Sequence, residues 1–293
     1  MEMKELEFTK KHDFLVCVDS DGCLLDNMEL KHKECFCPAT VNVWNLQPVS
    51  KYARQAAEFV NLYSRSRGWN RFPALVRTLD LLFDREEVKQ VGIQKPDLTS
   101  LRAWIETTPS LSSPALRKYC EENGIEDEIL LQACRWGEEV DANIRHIVRN
   151  IQPFPNVKAA LSRISEQADI VVVSATPNEA LTRELKACGI VDFFSYVAGQ
   201  ETGTKTQSIR LAMSDRYPAD HVLKVGDAAS DYKAAQDNGV LFYPIVPGKE
   251  NESWKELETK VFDSFTSGSY KGSKMDGYVS AFLSSLPETT NWN

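Results

Sequence analysis

The apolar positions of this chain follow two rhythms, and the change between them divides it. Near the start, Phe14-Leu15-Val16-Cys17-Val18 is an unbroken run that stops abruptly at Asp19-Ser20-Asp21-Gly22. A run of that length ending in turn residues reads as a strand buried in a parallel sheet. From Met28 to Asn150 the spacing becomes helical. Tyr52, Ala56, Phe59, Val60 and Tyr63 share one face, and after a break at Gly68 so do Phe72, Leu75, Val76, Leu79, Leu82 and Phe83. Asp97, a candidate cap, precedes Leu98, Leu101, Trp104 and Ile105, and a longer stripe runs through Ile129, Ala133, Trp136, Val140, Ile144 and Ile147. With no strand pattern to interrupt it, this stretch reads as an all-helical insertion.

Pro153 and Pro155 end that rhythm, since paired prolines favour extended backbone. Strand and helix then alternate. Strands are expected at 169–174, 196–198, 221–227 and 239–245, and helices from Val157, over 177–188, over 206–217 and over 231–237. Alternation of this kind gives a parallel sheet with helices on both faces. The expected fold is therefore α/β: a Rossmann-like parallel sheet of five or more strands plus an inserted all-α domain. The expected boundaries are 1–27 for the first part of the core, 28–150 for the insertion, and 151–293 for the remaining strands and C-terminal helices.

Composition narrows the function. Over 293 residues, 34 Lys plus Arg stand against 42 Asp plus Glu, a net charge of −8. That balance argues against nucleic acid as a partner, because phosphate neutralisation needs clustered cations. Met1 to Lys11 is charged and lacks the apolar core of a leader, and no run approaches the roughly 18 apolar residues of a membrane span. The expected location is cytoplasmic, away from membranes. Seven scattered Cys read as reduced thiols, and His32, Cys35 and Cys37 lack a second ligand pair at zinc spacing.

The abrupt ending of the first run is the chemical clue. Asp is disfavoured in strands and is rarely buried without a partner or a cation. The second strand is expected to end in Ser174 and the fourth in Asp227, and in an open α/β sheet such ends converge on one crevice. Asp231, four residues after Asp227, adds another acid. Four carboxylates in a small volume repel one another unless a cation joins them, and an all-oxygen set suits Mg²⁺ better than Zn²⁺. Read singly, Ser174 is also an ordinary strand end, and Asp231 an acid favoured in the first turn of a helix.

Taken in order, Asp19-Ser20-Asp21-Gly22, Ser174 after Val171-Val172-Val173, Lys205 before a helix, and Gly226-Asp227-Ala228-Ala229-Ser230-Asp231 resemble the four motifs of the haloacid dehalogenase-like hydrolase superfamily. The resemblance covers roughly 12–27 and 151–248, is nearest to the phosphoglycolate phosphatase-like branch, and makes the insertion similar to a type 1 cap by position. It implies a Mg²⁺-dependent phosphatase acting on a small phosphate ester. Asp19 would be the nucleophile and Asp21 the general acid and base, with Ser174 and Lys205 on the phosphoryl oxygens. The implied metal residues are Asp19, Asp21 through its backbone carbonyl, Asp227, and Asp231 from further out. Cys23 and Ala175-Thr176 depart from the family's usual residues.

Two rivals share parts of this pattern. A receiver-like phosphoacceptor module uses a similar acidic cluster but has no acid-rich motif after its lysine. A phosphosugar mutase of the same superfamily keeps all four motifs and differs in its cap. A dehalogenase is disfavoured because a leaving halide needs no proton from Asp21. Between two insertion helices, Arg65, Arg67 and Arg71 surround Gly68 and Trp69. Arg67 and Arg71 are candidate substrate contacts, although arginine at a helix end, Gly68 as a left-handed cap and Asn70 as an N-cap explain the same residues. Crossings at Leu25–Glu29 and Arg149–Asn156 are expected to let the insertion swing.

Overall fold

The computed structural model describes residues 6–108 and 111–292, so the first five residues of the stretch read for a leader lie outside it. The chain divides into two compact units. One comprises residues 1–28 and 150–287, the other residues 29–149 and 288–293. The last residues, from Glu288, thus group with the helical unit, and the chain passes between the units at three places.

The first unit is built on five parallel strands: β1 (Phe14–Val18), β2 (Ala168–Val173), β3 (Tyr196–Ala198), β4 (Val222–Gly226) and β5 (Leu241–Pro244). Their order is β3-β2-β1-β4-β5, which puts β1 in the centre. Each strand lies within two residues of its expected bounds, because continuous apolar runs are what a sheet covered on both faces requires. One face buries Val16, Val18, Ile170, Val172, Leu223 and Val225 beneath helices that include Val157–Ser165 and Asn178–Ala187. The other buries Leu15, Cys17, Val171, Val173 and Phe242 beneath Lys205–Met213, Ala229–Asn238 and Ser273–Ser285.

Helix Lys205–Met213 has a capping box: the Gln207 N–H donates to Thr204 Oγ1 and the Thr204 N–H to Gln207 Oε1. This reciprocal pair fixes the first helical residue, Lys205. At the other end of the sheet, Asp169 is buried but satisfied by neutral donors, the N–H groups of Lys11 and His12 and the Tyr217 hydroxyl. It is a structural acid.

The second unit is helical, and none of its described residues forms a strand. Ser50–Leu62, Arg71–Phe83, Thr99–Thr107 and Glu128–Ile147 supply a core around Phe72, Trp104 and Trp136, whose rings meet edge to face. Asn70 caps Arg71–Phe83 through the Phe72 N–H, and Gly68 has a left-handed φ of 75°. The C-terminal segment packs on this unit through Trp292 against Phe59 and the Arg65–Glu288 ion pair. All seven Cys are free and buried. No described helix is long and apolar enough to cross a membrane.

Candidate active site

The end of β1 is folded around one carbonyl. Ser20 O accepts from the N–H groups of Cys23, Leu24 and Leu25, while Gly22, at a φ of 71°, returns its own N–H to Leu25 O. A left-handed residue is needed there, and glycine supplies it without steric cost. Trp254 Nε1 then donates to Cys23 O at 2.8 Å, tying the loop to the core. Cys23 is packed among apolar side chains, and burial together with the Asp227 and Asp19 carboxylates keeps its thiol protonated.

This scaffold puts Asp19 into a cluster of buried charge. Carboxylate oxygens of Asp19, Asp227 and Asp231 lie within 4.8 Å of one another, the only such group of candidate metal ligands among the described residues. His32, Cys35 and Cys37 form no such group. Lys205 Nζ lies 2.9 Å from Asp19 Oδ2 and 2.8 Å from Asp231 Oδ1. Burial pushes the Asp19 carboxyl up to about 7, helped by Asp231 and opposed by Lys205 and Lys224. Burial acts on Asp231 in the same sense, but its two lysine neighbours outweigh it and hold that carboxyl below its usual range. Burial alone would lower the Lys205 ammonium; Asp19 and Asp231 outweigh it and hold the charge on.

Asp21 has a different environment two residues further on. Its Oδ1 accepts from Asn27 Nδ2 at 2.6 Å and its Oδ2 from Thr176 Oγ1 at 3.3 Å. Asn27 is thus turned to Asp21, and Thr176, noted only as a departure from a pattern, donates to its other oxygen. Ser174 Oγ pairs with Ser20 Oγ at 2.7 Å and accepts the Thr176 N–H. Ser174 and Asp21 are therefore linked through one short loop.

Lys224 joins the cluster although no motif in the sequence singles it out. Its side chain is fully buried, with Nζ 2.9 Å from Asp231 Oδ1. The available signal was a cation inside an otherwise apolar buried strand.

Arg67 and Arg71 belong to the helical unit. Arg67 is buried and donates to Leu62 O at 3.1 Å. Arg71 pairs with Asp141 at 2.6 Å, reaches Ser113 Oγ and lies over the Phe36 ring. The acid offsets the cost of a cation at a helix start. A cavity of ≈ 570 Å³ lies in this same unit, with Trp69, Arg77, Leu81, Ile105 and Glu288 in its wall and none of the clustered acids.

A family model described as haloacid dehalogenase-like hydrolase matches residues 106–245. Over that segment the chain is similar to the haloacid dehalogenase-like hydrolases. The matched segment contains Ser174, Lys205, Asp227 and Asp231, while Asp19, which precedes it, joins them in the acidic cluster, and Asp21 bonds to Thr176 within the segment.

Among solved structures, a protein from Haemophilus somnus 129pt described as a predicted phosphoglycolate phosphatase is 15% identical. It matches over 80% of this chain and 84% of that one, with a TM-score of 0.50. A haloacid dehalogenase-like hydrolase from Bacteroides fragilis is also 15% identical, over 83% and 93%, with a TM-score of 0.49. The former likeness speaks for the fold. No curated protein matches the sequence.

Proposed function

We propose that this hydrolase is a phosphatase that cleaves a small phosphorylated metabolite through a phosphoryl group carried on Asp19. The observation that carries the reading is the placement of two acids at one strand end, the first of them buried beside Lys205. Asp19 is buried against the Lys205 ammonium, and the Asp21 carboxylate accepts hydrogen bonds from the Asn27 amide and the Thr176 hydroxyl. The first environment suits a nucleophile that must meet a dianionic phosphoryl group beside a cation. The second suits a group that gives and takes a proton.

In this reading an Asp19 oxygen attacks phosphorus, and Asp21 protonates the departing alkoxide. Asp21 then takes a proton from the water that cleaves the aspartyl phosphate, which returns Asp19 as a carboxylate and releases inorganic phosphate. Lys205 and Ser174 hold phosphoryl oxygens by charge and by hydrogen bond.

The donor set fits a hard cation, since the clustered ligand atoms are all carboxylate oxygens. Mg²⁺ would be held by Asp19, Asp227 and the Asp21 carbonyl, with Asp231 further out. When bound it would screen the nucleophile's charge from the phosphate. Arg71, about a quarter exposed, and the more deeply buried Arg67 are the proposed contacts for a carboxylate or hydroxyl on the leaving group, which the planar guanidinium suits.

A panel of phosphate esters assayed for free phosphate tests this. Turnover should require Mg²⁺ and vanish in Asp19→Asn and Asp21→Asn variants that keep wild-type circular dichroism. Full turnover in a chelator, or an isomeric phosphosugar as the product in place of free phosphate, would sink the reading.

A further inference from the structure

The five strands contain one cation, Lys224, in the middle of β4. It pairs in register with Cys17 on one side and Phe242 on the other, so its stem crosses apolar neighbours. A fully buried ammonium is costly unless an anion meets it. The anion is Asp231: Nζ lies 2.9 Å from Oδ1, a short ionic contact, with no aligned hydrogen bond to any other described acceptor.

The same oxygen also receives Lys205 at 2.8 Å, and the other, Oδ2, accepts the Ala228 N–H at 3.3 Å. Below it there is no space, because a Cβ on Gly226 would lie 2.3 Å from Asp231 Cγ. Asp231 is therefore packed against Gly226, shared by two ammonium groups on one oxygen and bonded to a backbone amide on the other. Both of its oxygens are thus engaged by the protein.

We propose that Lys224 is a positioning residue that holds Asp231 towards Lys205 and out of direct contact with the divalent cation, leaving Asp19 and Asp227 as the carboxylates that bind it. The proposal rests on the Mg²⁺-dependent reading above. Its physical basis is charge. Three carboxylates face two ammonium groups, so loss of Lys224 leaves the cluster one unit more negative and leaves Asp231 Oδ1 held by Lys205 alone. The Asp231 carboxylate then competes for the ion, and Lys205 loses the fixed partner that aims it at Asp19.

The test is Lys224→Met, which keeps the apolar stem and removes the charge. Mg²⁺ binding is measured by calorimetry and, separately, kcat and KM are measured on the best ester. The expected result is tighter Mg²⁺ binding, by about tenfold as a more negative cluster gains on the order of 1.4 kcal/mol, with kcat lowered by about 10-fold or more, the usual loss of activity when a partner of a metal-site acid is removed. A folded variant with wild-type Mg²⁺ affinity and kcat, or with weaker Mg²⁺ binding, overturns the proposal and leaves Lys224 a core ion pair.

Should Lys224→Met fail to fold, the double variant Lys224→Met/Asp231→Asn, which removes both buried charges, is compared with Asp231→Asn. Equal Mg²⁺ affinities support action through Asp231, and further tightening overturns it. A wild-type protein that binds no Mg²⁺ in the calorimeter defeats the metal reading itself. That outcome is distinct from failure of the Lys224 variant alone.

Discussion

Both units bury cations, and they bury them differently. In the helical unit, Arg85 lies between the rings of Tyr52 and Trp292, donates to Gln55 at 2.9 Å and pairs with Glu87 at 3.1 Å. Each contact locks one segment to another, and none leaves like charges in conflict. In the sheet unit, Lys205 and Lys224 share one oxygen of Asp231, beside two further acids. An arrangement that crowds like charges into one buried volume is a poor way to stabilise a fold. A buried ion pair is therefore weak evidence for function, whereas a buried cluster in which like charges share partners is strong evidence.

The contrast breaks most directly at its two cations. Lys205→Met should lower kcat/KM by about 100-fold or more, the usual scale for losing a donor to developing phosphoryl charge, with wild-type secondary structure retained. Arg85→Met should leave kcat unchanged and lower stability by about 1–3 kcal/mol, as for other losses of a buried hydrogen-bonded network. Denaturant melts and steady-state kinetics on both variants check this. An exchange of the two phenotypes would reverse the assignment of the units.

Glycines sharpen the same comparison. A methyl group on Gly226 would meet the Asp231 carboxyl at 2.3 to 2.6 Å, and that carboxyl is held by two lysines. On Gly137, in the helical unit, it would meet Ser113 Oγ at 2.6 Å, a hydroxyl on a single rotatable bond. Gly226→Ala should cost about 3 kcal/mol, the upper end for overpacking, and abolish turnover. Gly137→Ala should cost less, about 1 kcal/mol, because the serine hydroxyl rotates away, a small shift relieves the remaining 3.2 Å approach to Ser113 Cβ, and alanine gains helix propensity. Equal thermal shifts would mean that Asp231 is free to move.

The Asp19 carboxyl supplies a pH test. Its ordinary value is 3.8 and burial raises it to about 7, so folding without metal takes up a proton between those values. The stability of chelated protein should fall as pH rises through that window, because the folded state binds more protons there. Mg²⁺ requires the ionised form, so its binding should release that proton below about pH 7 and strengthen by at most about tenfold per pH unit. Calorimetry in buffers of different ionisation enthalpy measures the proton directly. No proton release at pH 6 would show that Asp19 is already ionised.

Most of the sheet unit was legible because its strands are continuous apolar runs and its acids interrupt them at their ends. Asp19, Asp227 and Asp231 meet as the run endings imply, and Lys205 joins them from a capped helix start. Lys224 was overlooked because a lone lysine is normally solvated, and only the register with Cys17 and Phe242 shows that it is not. Asn27 and Thr176 escaped notice as partners of Asp21 because hydrogen-bond partners within a loop leave no periodic signature. The attachment of Trp292 to the helical unit was equally silent, since one aromatic in a polar tail has no period at all.

The smallest effect belongs to Arg71, where the two units' styles of charge meet in one residue. Its guanidinium pairs with Asp141 at 2.6 Å and reaches the Ser113 hydroxyl, so part of its role is to hold helix Arg71–Phe83 to helix Glu128–Ile147. Asp141→Asn removes the acid but keeps the arginine, and with both side chains partly exposed the cost should stay under about 1 kcal/mol. Arg71→Ala removes the arginine as well. If it also contacts the leaving group, KM should rise by several-fold, up to about tenfold, the worth of one charged hydrogen bond, with kcat nearly unchanged. The two variants separate the roles: equal losses of stability with KM raised only in Arg71→Ala mark a substrate contact. Equal KM values for both variants and the wild type would confine Arg71 to helix packing and move the search for leaving-group contacts elsewhere.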